Sequence, residues 1–332
     1  MKVTTLGFGC MITSDPSVIQ RAVDLGINYF DTAREYQNGN NERLTGAALK
    51  GRRDKVYISS KTEGETKQAA LDQLDTSLKE LGTDHLDIWH LHSKDRPGDL
   101  TDDLREAQRI AKKAGKIRFA GVSTHAPGEM QEQILKNSHF DVVLLSYNFM
   151  NGGPNEAFLQ AMHHAGIGVV AMKVMAGGVK DPKAKARRFM TRPGAAAAAL
   201  RWVLRNPIIA TAIPSMTDND QLDENMLAMA GSFNDADAKV LSARAGEIHD
   251  SYCRMCGACN GQCARGLPVR EVLRSVMYAE GYGQFALGRE HFLKLPSEAQ
   301  SVRCSECPKC TIECPNGVRV AHRAALAQAW FA

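Results

Sequence analysis

The stretch VYISSKTEGETKQAALDQLDTSLKELGTDHLDIWHLH, residues 56–92, contains a strand, a helix and a second strand in succession. Residues 56–59 and 86–91 are short runs rich in apolar and β-branched side chains, a composition that favours strands. In residues 67–81 the apolar side chains recur every three or four positions, which predicts an amphipathic helix. Alternation of this kind is typical of a parallel sheet with helical crossovers.

Six further runs resemble the two strands of this stretch. Together they give eight strands within about 215 residues, which is the size of a closed (β/α)8 barrel. An open, doubly wound sheet is the alternative, but no GxGxxG motif follows the first run. The sequence therefore predicts an α/β fold that begins with a (β/α)8 TIM barrel. The six runs are residues 3–9, 28–32, 119–122, 142–146, 169–173 and 209–213.

Composition places the chain among globular proteins and argues against three other classes. Of its 332 residues, 44% are hydrophobic and 23% are charged, which excludes a disordered chain. No run of about 18 apolar residues is present, so no membrane span is expected. A net charge of +4 without a basic, aromatic-rich run argues against nucleic-acid binding.

The first residues of the given sequence contain no apolar signal-peptide stretch and no twin arginine, so we expect a cytoplasmic location.

Nine cysteines are present, and eight of them form two runs with the spacing CxxCxxCxxxC. This is the ligand spacing of bacterial ferredoxins, and a proline directly follows the second run. Two zinc sites are the alternative, but zinc ligands usually come as CxxC pairs across a longer loop. The spacing therefore predicts two 4Fe-4S clusters, while Cys10, outside both runs, is expected to be a small buried thiol. The runs are Cys253, Cys256, Cys259 and Cys263, followed by Cys304, Cys307, Cys310 and Cys314.

The resemblance to bacterial ferredoxins also implies how the two clusters share their ligands. In those proteins the fourth cysteine of a run binds the other cluster. Cys314 would then complete the cluster held by the first run, and Cys263 would complete the cluster held by the second. We expect the arginines near the runs to face solvent rather than to neutralise the clusters. They are Arg265, Arg270, Arg274 and Arg289.

The segment between the two runs has a helical rather than a strand-like pattern. Residues 269–277 and 283–293 carry apolar side chains at helical spacing, so we expect a small, mostly α-helical ferredoxin-like domain. Asn234 and the acids after it are typical of a helix N-terminus, which predicts a helix to about residue 249. The expected division is a barrel in residues 1–232, a linking helix in 233–250 and the ferredoxin-type domain in 251–332.

Polar residues end three successive strands of the predicted barrel. Asp31 ends the second strand, Lys61 follows the third and His92 follows the fourth. Tyr36 lies on the loop after the second strand. The carboxyl ends of barrel strands are where catalytic residues gather. Each residue alone commonly has a structural role, as a turn cap, a solvated lysine or a core histidine, but the four together predict a site.

These four side chains can together protonate a carbonyl oxygen. Free tyrosine has a pKa of about 10, which is too high for an efficient acid at neutral pH. A nearby ammonium stabilises the phenolate and lowers that pKa, while a carboxylate keeps the lysine charged and oriented. An imidazole can position or polarise the carbonyl oxygen. Tyr36 is therefore the predicted general acid, and the other three residues are predicted to assist it.

Residues 3 to about 230 resemble an aldo-keto reductase. The segments DTAREY, residues 31–36, and DIWHLH, residues 87–92, match the catalytic segments of that family, and Lys61 matches its lysine on the third strand. The resemblance implies hydride transfer between a nicotinamide and a small aldehyde, ketone or alcohol. It also implies cofactor contacts by Ser123, Asn148, Lys173, Gly177, Ser215, Glu224 and Asn225.

Some positions depart from the family pattern and affect the expected cofactor contacts. Thr124-His125 and Leu144 stand where the family usually has an asparagine and a glutamine that hold the nicotinamide carboxamide. Residues 215–221 contain Asp218 and Asp220 but no lysine or arginine, so a 2′-phosphate would be repelled. We therefore expect NAD(P)H as the cofactor, with NADH slightly favoured.

The two halves of the chain favour an oxidoreductase that joins a carbonyl-reducing barrel to an electron-transfer module. A nicotinamide gives two electrons as hydride, whereas each cluster carries one electron, so a flavoprotein or ferredoxin partner is expected. One alternative is a catalytically silent barrel that senses redox state or docks a partner. Another alternative is a reductase that receives electrons from ferredoxin instead of from a nicotinamide.

Overall fold

The computed structural model describes residues 1–177 and 194–332. Within them, eight parallel strands alternate with eight helices up to residue 226. Gly178, which follows the seventh strand in sequence, lies outside the described residues. The strands are β1 (Phe8–Gly9), β2 (Tyr29–Asp31), β3 (Tyr57–Thr62), β4 (Leu86–Leu91), β5 (Ile117–Thr124), β6 (Val142–Ser146), β7 (Gly168–Met172) and β8 (Ile209–Ala212). The helices are α1 (Pro16–Asp24), α2 (Asn40–Ala48), α3 (Lys67–Leu81), α4 (Asp102–Lys113), α5 (Pro127–Leu135), α6 (Gly152–His164), α7 (Ala195–Leu204) and α8 (Asn219–Met226).

The strands close into a barrel in chain order. Each strand pairs in parallel with the next, from β1 to β8. The chain then returns to its start through a parallel bridge between Leu6 and Ala212. Gly9 makes a second bridge, to Ser215. The predicted (β/α)8 barrel is therefore confirmed.

The first strand is shorter than residues 3–9, where it was expected. Only Phe8 and Gly9 belong to the strand. The backbone N–H of Thr4 donates to the Asn28 side chain at 2.7 Å. Thr4 is therefore hydrogen-bonded to a side chain and not to the backbone of a neighbouring strand. The other strands lie within a few residues of their expected positions, and β6 covers Val142–Ser146 as predicted.

Local sequence explains where the helices around the barrel begin. Thr66 caps α3 by accepting from the Ala69 N–H, and Thr101 caps α4 in the same way. Helix α7 begins with five alanines, the residue with the highest helix propensity, and their small side chains are buried. The caps and the alanine run thus determine where these helices begin around the barrel.

Apolar side chains fill the interior of the barrel. One buried cluster joins Tyr29, Ile88, Leu144, Val170 and Ile213, which come from positions around the barrel. Layers of this kind make the interior of a TIM barrel a packed core rather than a channel. The packing holds neighbouring strands in register, and it thereby fixes the side chains at their carboxyl ends.

The second compact unit comprises residues 235–332 together with residues 175–177 and 194–195 of the described chain. Its described residues form helices and no strand, as expected. Val272, Phe292 and Phe331 belong to its buried core, and five cysteines of the two runs pack against that core. The helices are α9 (Asp235–Ile248), α10 (Val269–Val276), α11 (Phe285–Leu293), α12 (Ser297–Ser301) and α13 (Val320–Phe331), with a π-helical turn at Met277–Gly281. Among the described residues of the whole chain, no helix has the length and apolar character needed to cross a membrane.

Candidate active site

Three neighbouring strands bring the predicted catalytic residues to one end of the barrel. Asp31 is the last residue of β2, Lys61 lies near the end of β3, and His92 directly follows β4. The His92 N–H donates to Thr62 O at 2.9 Å, so the ladder between β3 and β4 continues up to this histidine. Because these strands run parallel, their carboxyl ends meet at the same edge.

Lys61 is the centre of this arrangement, and only 1% of its side chain is exposed. Its Nζ lies 2.5 Å from Asp31 Oδ2 and 2.7 Å from Thr32 O. The third contact of the ammonium is the Tyr36 hydroxyl, at 3.2 Å. An ammonium has three N–H donors, and here a carboxylate, a carbonyl and a phenol are within reach of them. The cation is therefore held against the phenol oxygen, as the sequence predicted.

Asp31 is fixed from both sides. Its second oxygen, Oδ1, accepts a hydrogen bond from the Ser59 hydroxyl at 2.7 Å, and the residue is only 2% exposed. A buried carboxylate is costly unless it is paired and hydrogen-bonded, and here it is both. The pair with Lys61 therefore keeps both charges in place inside the barrel.

Tyr36 begins a 3₁₀ turn, Tyr36–Gly39, on the loop after β2. The loop is tied down by an ion pair between Arg34 and Glu42, a carboxylate that also accepts from the Ser60 hydroxyl. Gln37, with φ of 53°, adopts a left-handed conformation and donates from its side chain to Thr13 O at 2.9 Å. These contacts hold the loop, and with it the phenol, over the end of the barrel.

His92 lies beside Tyr36 and contacts two acids that the sequence analysis did not select. Its ring meets the tyrosine ring edge-on, with 5.8 Å between the centroids. Its Nδ1 is 3.2 Å from Glu35 Oε2 and 3.6 Å from Glu63 Oε1. Burial raises the pKa of Glu35. The hydrogen bond from His92, the charge of His92 and hydrogen bonds from the backbone lower the pKa by more, so it lies below its usual value. Glu35 directly precedes Tyr36 in the catalytic segment, and that adjacency is the signal that could have identified it.

His90 is a core histidine rather than a member of the site. It is completely buried, and a Cβ at Gly121 would lie 2.3 Å from its Nδ1, so glycine makes room for the ring. Burial lowers the pKa of His90 well below its usual range, and the charges of Lys61 and His92 lower it further. The ring is therefore neutral at pH 7.

The predicted cofactor positions lie mainly at the same end of the barrel. Ser123 is near the end of β5, its hydroxyl accepts from the Ser93 N–H at 2.8 Å, and Ser215 lies just beyond β8. Asn148 joins the loops after β6 and β7, since its amide donates to Lys173 O at 2.9 Å. The others are Glu224 and Asn225, on α8, and Gly177, which has φ of 76° and belongs to the second compact unit.

The positions that depart from the family pattern have other partners. Leu144 belongs to the apolar cluster inside the barrel, so no amide is presented there. The His125 backbone N–H donates to Asp95 Oδ1 at 2.6 Å, and its Nδ1 lies 3.2 Å from Asp95 Oδ2. Asp218 caps α8 by accepting from the Gln221 N–H at 2.8 Å.

Electrostatic interactions link cysteines of one run in the second unit with cysteines of the other run. Burial raises the pKa of the Cys253 thiol to about 12, and among the charges that raise it further is that of Cys314. Burial also raises the pKa of Cys304, and the charges of Cys307 and Cys263 add to this effect. Cys253 therefore lies within electrostatic reach of Cys314, and Cys304 lies within reach of Cys263. The crossed ligation that the ferredoxin resemblance implies stays a prediction.

The donor set of the second unit fits iron–sulfur clusters. All eight cysteines of the two runs are free thiols rather than disulfides. Two CxxCxxCxxxC runs of single thiols supply the eight sulfur ligands that two 4Fe-4S clusters need.

Two of the four arginines near the runs do not face solvent as expected. Arg270 and Arg274, on α10, are only 6% and 3% exposed, because Glu271 lies between them and pairs with both. Arg265 is exposed, as expected, and pairs with Glu306 at 3.0 Å. The prediction was wrong for the two α10 residues because their face packs inward.

Cys10, outside the two runs, is the buried thiol that was expected. It has no exposed surface, and burial raises its pKa to about 12. A thiol with so high a pKa is almost entirely protonated at neutral pH and is therefore a poor nucleophile.

Comparison with known proteins identifies relatives of both parts of the chain. The sequence profile of the aldo/keto reductase family matches residues 14–243, and that of a 4Fe-4S dicluster domain matches residues 252–319. A Bacillus subtilis protein named as an uncharacterised oxidoreductase is 26% identical over 271 residues, which cover 69% of this chain and 88% of that relative.

Solved structures agree with this result. An aldo-keto reductase from Bacillus halodurans, in its holo form, is 26% identical with a TM-score of 0.61, over 73% of this chain and 92% of that one. An aldo/keto reductase from Klebsiella pneumoniae in complex with NADP and acetate is 24% identical with a TM-score of 0.60, again over 73% and 92% of the chains. The second likeness supports the fold alone.

Proposed function

Because the chain belongs to the aldo/keto reductase family, we propose that its barrel reduces a small aldehyde or ketone, or oxidises the corresponding alcohol, with Tyr36 as the general acid or base. The chain is an oxidoreductase of that family joined to a 4Fe-4S dicluster domain. The observation that carries the proposal is the 3.2 Å contact between the Lys61 ammonium and the Tyr36 hydroxyl.

The four side chains have separate tasks in this reaction. A bound nicotinamide supplies hydride to the carbonyl carbon. Tyr36 gives its proton to the carbonyl oxygen, so that hydride and proton together yield the alcohol, and the phenolate later regains a proton from solvent. Lys61 stabilises the negative charge that develops on the phenol oxygen, and Asp31 holds the lysine in place. His92 contacts and orients the carbonyl oxygen.

The cofactor contacts are the residues at the ends of β5 to β8 and on α8. Residues 215–221 carry two acids and no lysine or arginine, which disfavours a 2′-phosphate, so we propose that NADH is slightly preferred over NADPH. Leu144 cannot hydrogen-bond the carboxamide, so the remaining polar groups must hold the nicotinamide. In the barrel unit they are Ser123, Asn148, Lys173, Ser215, Glu224 and Asn225, while Gly177 stays a prediction of the family resemblance alone.

We further propose two 4Fe-4S clusters. Cys253, Cys256, Cys259 and Cys314 would hold the first, and Cys304, Cys307, Cys310 and Cys263 would hold the second. Each cluster would carry one electron at a time. A flavoprotein or a ferredoxin would be the redox partner. Clusters of this kind persist where thiols stay reduced, so we place the protein in the cytoplasm. The corresponding division of the chain is the barrel in 1–232, the linking helix in 233–250 and the dicluster domain in 251–332.

The test is turnover by the anaerobically purified full chain. NADH and NADPH oxidation is measured with a panel of aldehydes and ketones, for the wild type and for Tyr36→Phe. We expect Tyr36→Phe to lower kcat by about 10²- to 10⁴-fold, the usual contribution of a positioned acid. The visible absorption of the clusters should stay unchanged, which shows that the variant is folded and loaded.

The other candidate is a silent barrel that senses redox state or docks a partner. The observation in its favour is that Leu144 and the engaged His125 weaken the grip on a nicotinamide. Tight binding of a ligand without turnover of any carbonyl would support the silent barrel. Turnover with reduced ferredoxin but with neither nicotinamide would instead support a ferredoxin-fed reductase.

A further inference from the structure

The last cysteines of the two runs are preceded by residues that contact each other. Gln262 directly precedes Cys263 at the end of the first run, and Glu313 directly precedes Cys314 at the end of the second. The Gln262 side-chain oxygen, Oε1, accepts from the Glu313 N–H at 2.7 Å, across 51 positions of the sequence. This hydrogen bond therefore joins the two runs beside the fourth cysteine of each.

A second hydrogen bond joins the same two segments. The Thr311 hydroxyl donates to the Gln262 backbone carbonyl at 2.7 Å. The side-chain nitrogen of Gln262, Nε2, donates to Ala258 O at 2.7 Å, so the side chain is also held within its own run. We call Gln262, Thr311 and Glu313 the joint between the runs. Its two hydrogen bonds hold the end of one run against the end of the other.

The other cysteines of each run have a different kind of support. They follow one another at intervals of three residues, and local turns connect them, as where the Cys307 N–H donates to Cys304 O at 3.2 Å. In the proposed crossed ligation, the fourth cysteine of each run binds the cluster of the other run. Contacts between the runs must then determine where that cysteine lies, and the joint supplies such contacts.

The joint restrains the backbone just before Cys263 and Cys314. Each residue has only two soft backbone dihedrals, so fixing one residue limits where the side chain of the next can lie. Both cysteine side chains also pack against the buried core of this unit, which limits the side on which their sulfurs lie. The joint and the core together therefore restrict the position of each sulfur.

We propose that Gln262 is a positioning residue for the fourth cysteine of both runs, Cys263 and Cys314. The inference rests on the two proposed 4Fe-4S clusters and deepens that proposal, because it makes the stability of each cluster depend on the same side chain. A cluster begins to be lost when a ligand sulfur leaves its iron, and a poorly held cysteine leaves more often. A weakened joint should therefore speed the loss of both clusters.

The test measures how fast a chelator removes iron from the anaerobically purified full chain. The rate for each cluster is measured separately in two backgrounds: Cys253→Ser leaves the second cluster, and Cys304→Ser leaves the first. Gln262→Met keeps the length of the side chain but removes its amide. Iron release is followed under reducing conditions with a chelator that forms a coloured ferrous complex, and far-ultraviolet circular dichroism checks the helices of each variant.

Three further variants separate the joint from general damage. Thr311→Val removes the hydroxyl that bonds to Gln262, and Thr311→Ser keeps a hydroxyl at the same place. Gln300→Met is the matched control, because Gln300 lies in the same unit and its amide donates to Leu293 O and Leu295 O, outside the two runs.

In Gln262→Met we expect iron release to be about tenfold faster from both clusters, since a hydrogen bond of typical strength restrains each fourth cysteine. Thr311→Val should speed release from both clusters as well. Thr311→Ser and Gln300→Met should stay within about twofold of the unsubstituted joint, the lower limit of the effect of one hydrogen bond.

Unchanged release in Gln262→Met, or faster release from one cluster alone, would overturn the inference. So would equal acceleration in Gln262→Met and Gln300→Met. Equal acceleration in Thr311→Val and Thr311→Ser would also overturn it, and that pair decides the matter if Gln262→Met does not fold.

The metal content of the wild type separates the two claims. About eight irons per chain beside an unaffected Gln262→Met would overturn this inference alone. Zinc in place of iron would overturn the proposed clusters and the inference that rests on them.

Discussion

The substitution Lys61→Met tests whether the buried ammonium activates the phenol. The Nζ atom lies 3.2 Å from the Tyr36 hydroxyl, and at an effective dielectric constant of about 20 a full charge on that oxygen would be stabilised by about 5 kcal/mol. About half of that charge develops in a proton-transfer transition state. The loss is then about 2.5 kcal/mol, which corresponds to a fall of roughly 70-fold in kcat.

The same substitution leaves Asp31 buried without its cation. Breaking one partner of a buried ion pair costs about 3–5 kcal/mol, so the midpoint temperature of unfolding, followed by circular dichroism under anaerobic conditions, should fall. The double variant Asp31→Asn/Lys61→Met removes both charges. It should regain most of the lost stability but not the activity, because the phenol still lacks a cation.

Lys112→Met is the matched control, since Lys112 pairs with Asp141 at 2.8 Å but has 46% of its side chain exposed. An exposed pair contributes about 0–1 kcal/mol, so stability and turnover should both stay close to the wild type. Steady-state kinetics with an aldehyde and the preferred nicotinamide supply the readout. If Lys61→Met kept more than about a third of the wild-type kcat while Lys112→Met behaved normally, the proposed role of the ammonium would be refuted.

Two further predictions concern the cysteine domain. Cys253→Ser and Cys314→Ser should each remove the same cluster and leave about four irons per chain. The double variant should therefore also keep about four irons. Loss of both clusters in the double variant would argue against crossed ligation. Asn316 donates from its amide to Cys256 Sγ at 3.4 Å, and a donor to a ligand sulfur stabilises the reduced, more negative cluster. Asn316→Ala should therefore lower the reduction potential of the first cluster by up to about 40 mV, equivalent to about 1 kcal/mol, in a potentiometric titration followed by electron paramagnetic resonance. An equal shift in both clusters would contradict this local effect.

The barrel could be predicted from sequence because its signal is periodic and local. The segment from residue 56 to residue 92 shows strand, helix and strand directly, and β4 and α3 begin and end where the pattern places them. Strand β1 was overestimated because the Asn28 side chain, which is distant in sequence, satisfies the Thr4 backbone. A pattern within residues 3–9 contains no information about that partner.

The candidate site was predictable where chemistry and strand position coincide, as for Asp31 and Lys61. The partners of His92 were missed because an acid beside a tyrosine in sequence is usually solvent-exposed, and only folding brings Glu35 to the imidazole. The burial of Arg270 and Arg274 was missed for a related reason. Charged residues are rarely buried without a partner, and here Glu271 on the same helix provides one.

The central claim is that hydride passes directly to a carbonyl in the barrel while Tyr36 supplies the proton. The most direct measurement uses a nicotinamide carrying deuterium at the transferred position and analyses the alcohol product by mass spectrometry. Direct transfer predicts one deuterium on the former carbonyl carbon. An unlabelled alcohol, formed at the same rate, would show that the electrons arrive singly with protons from water, and it would contradict the account.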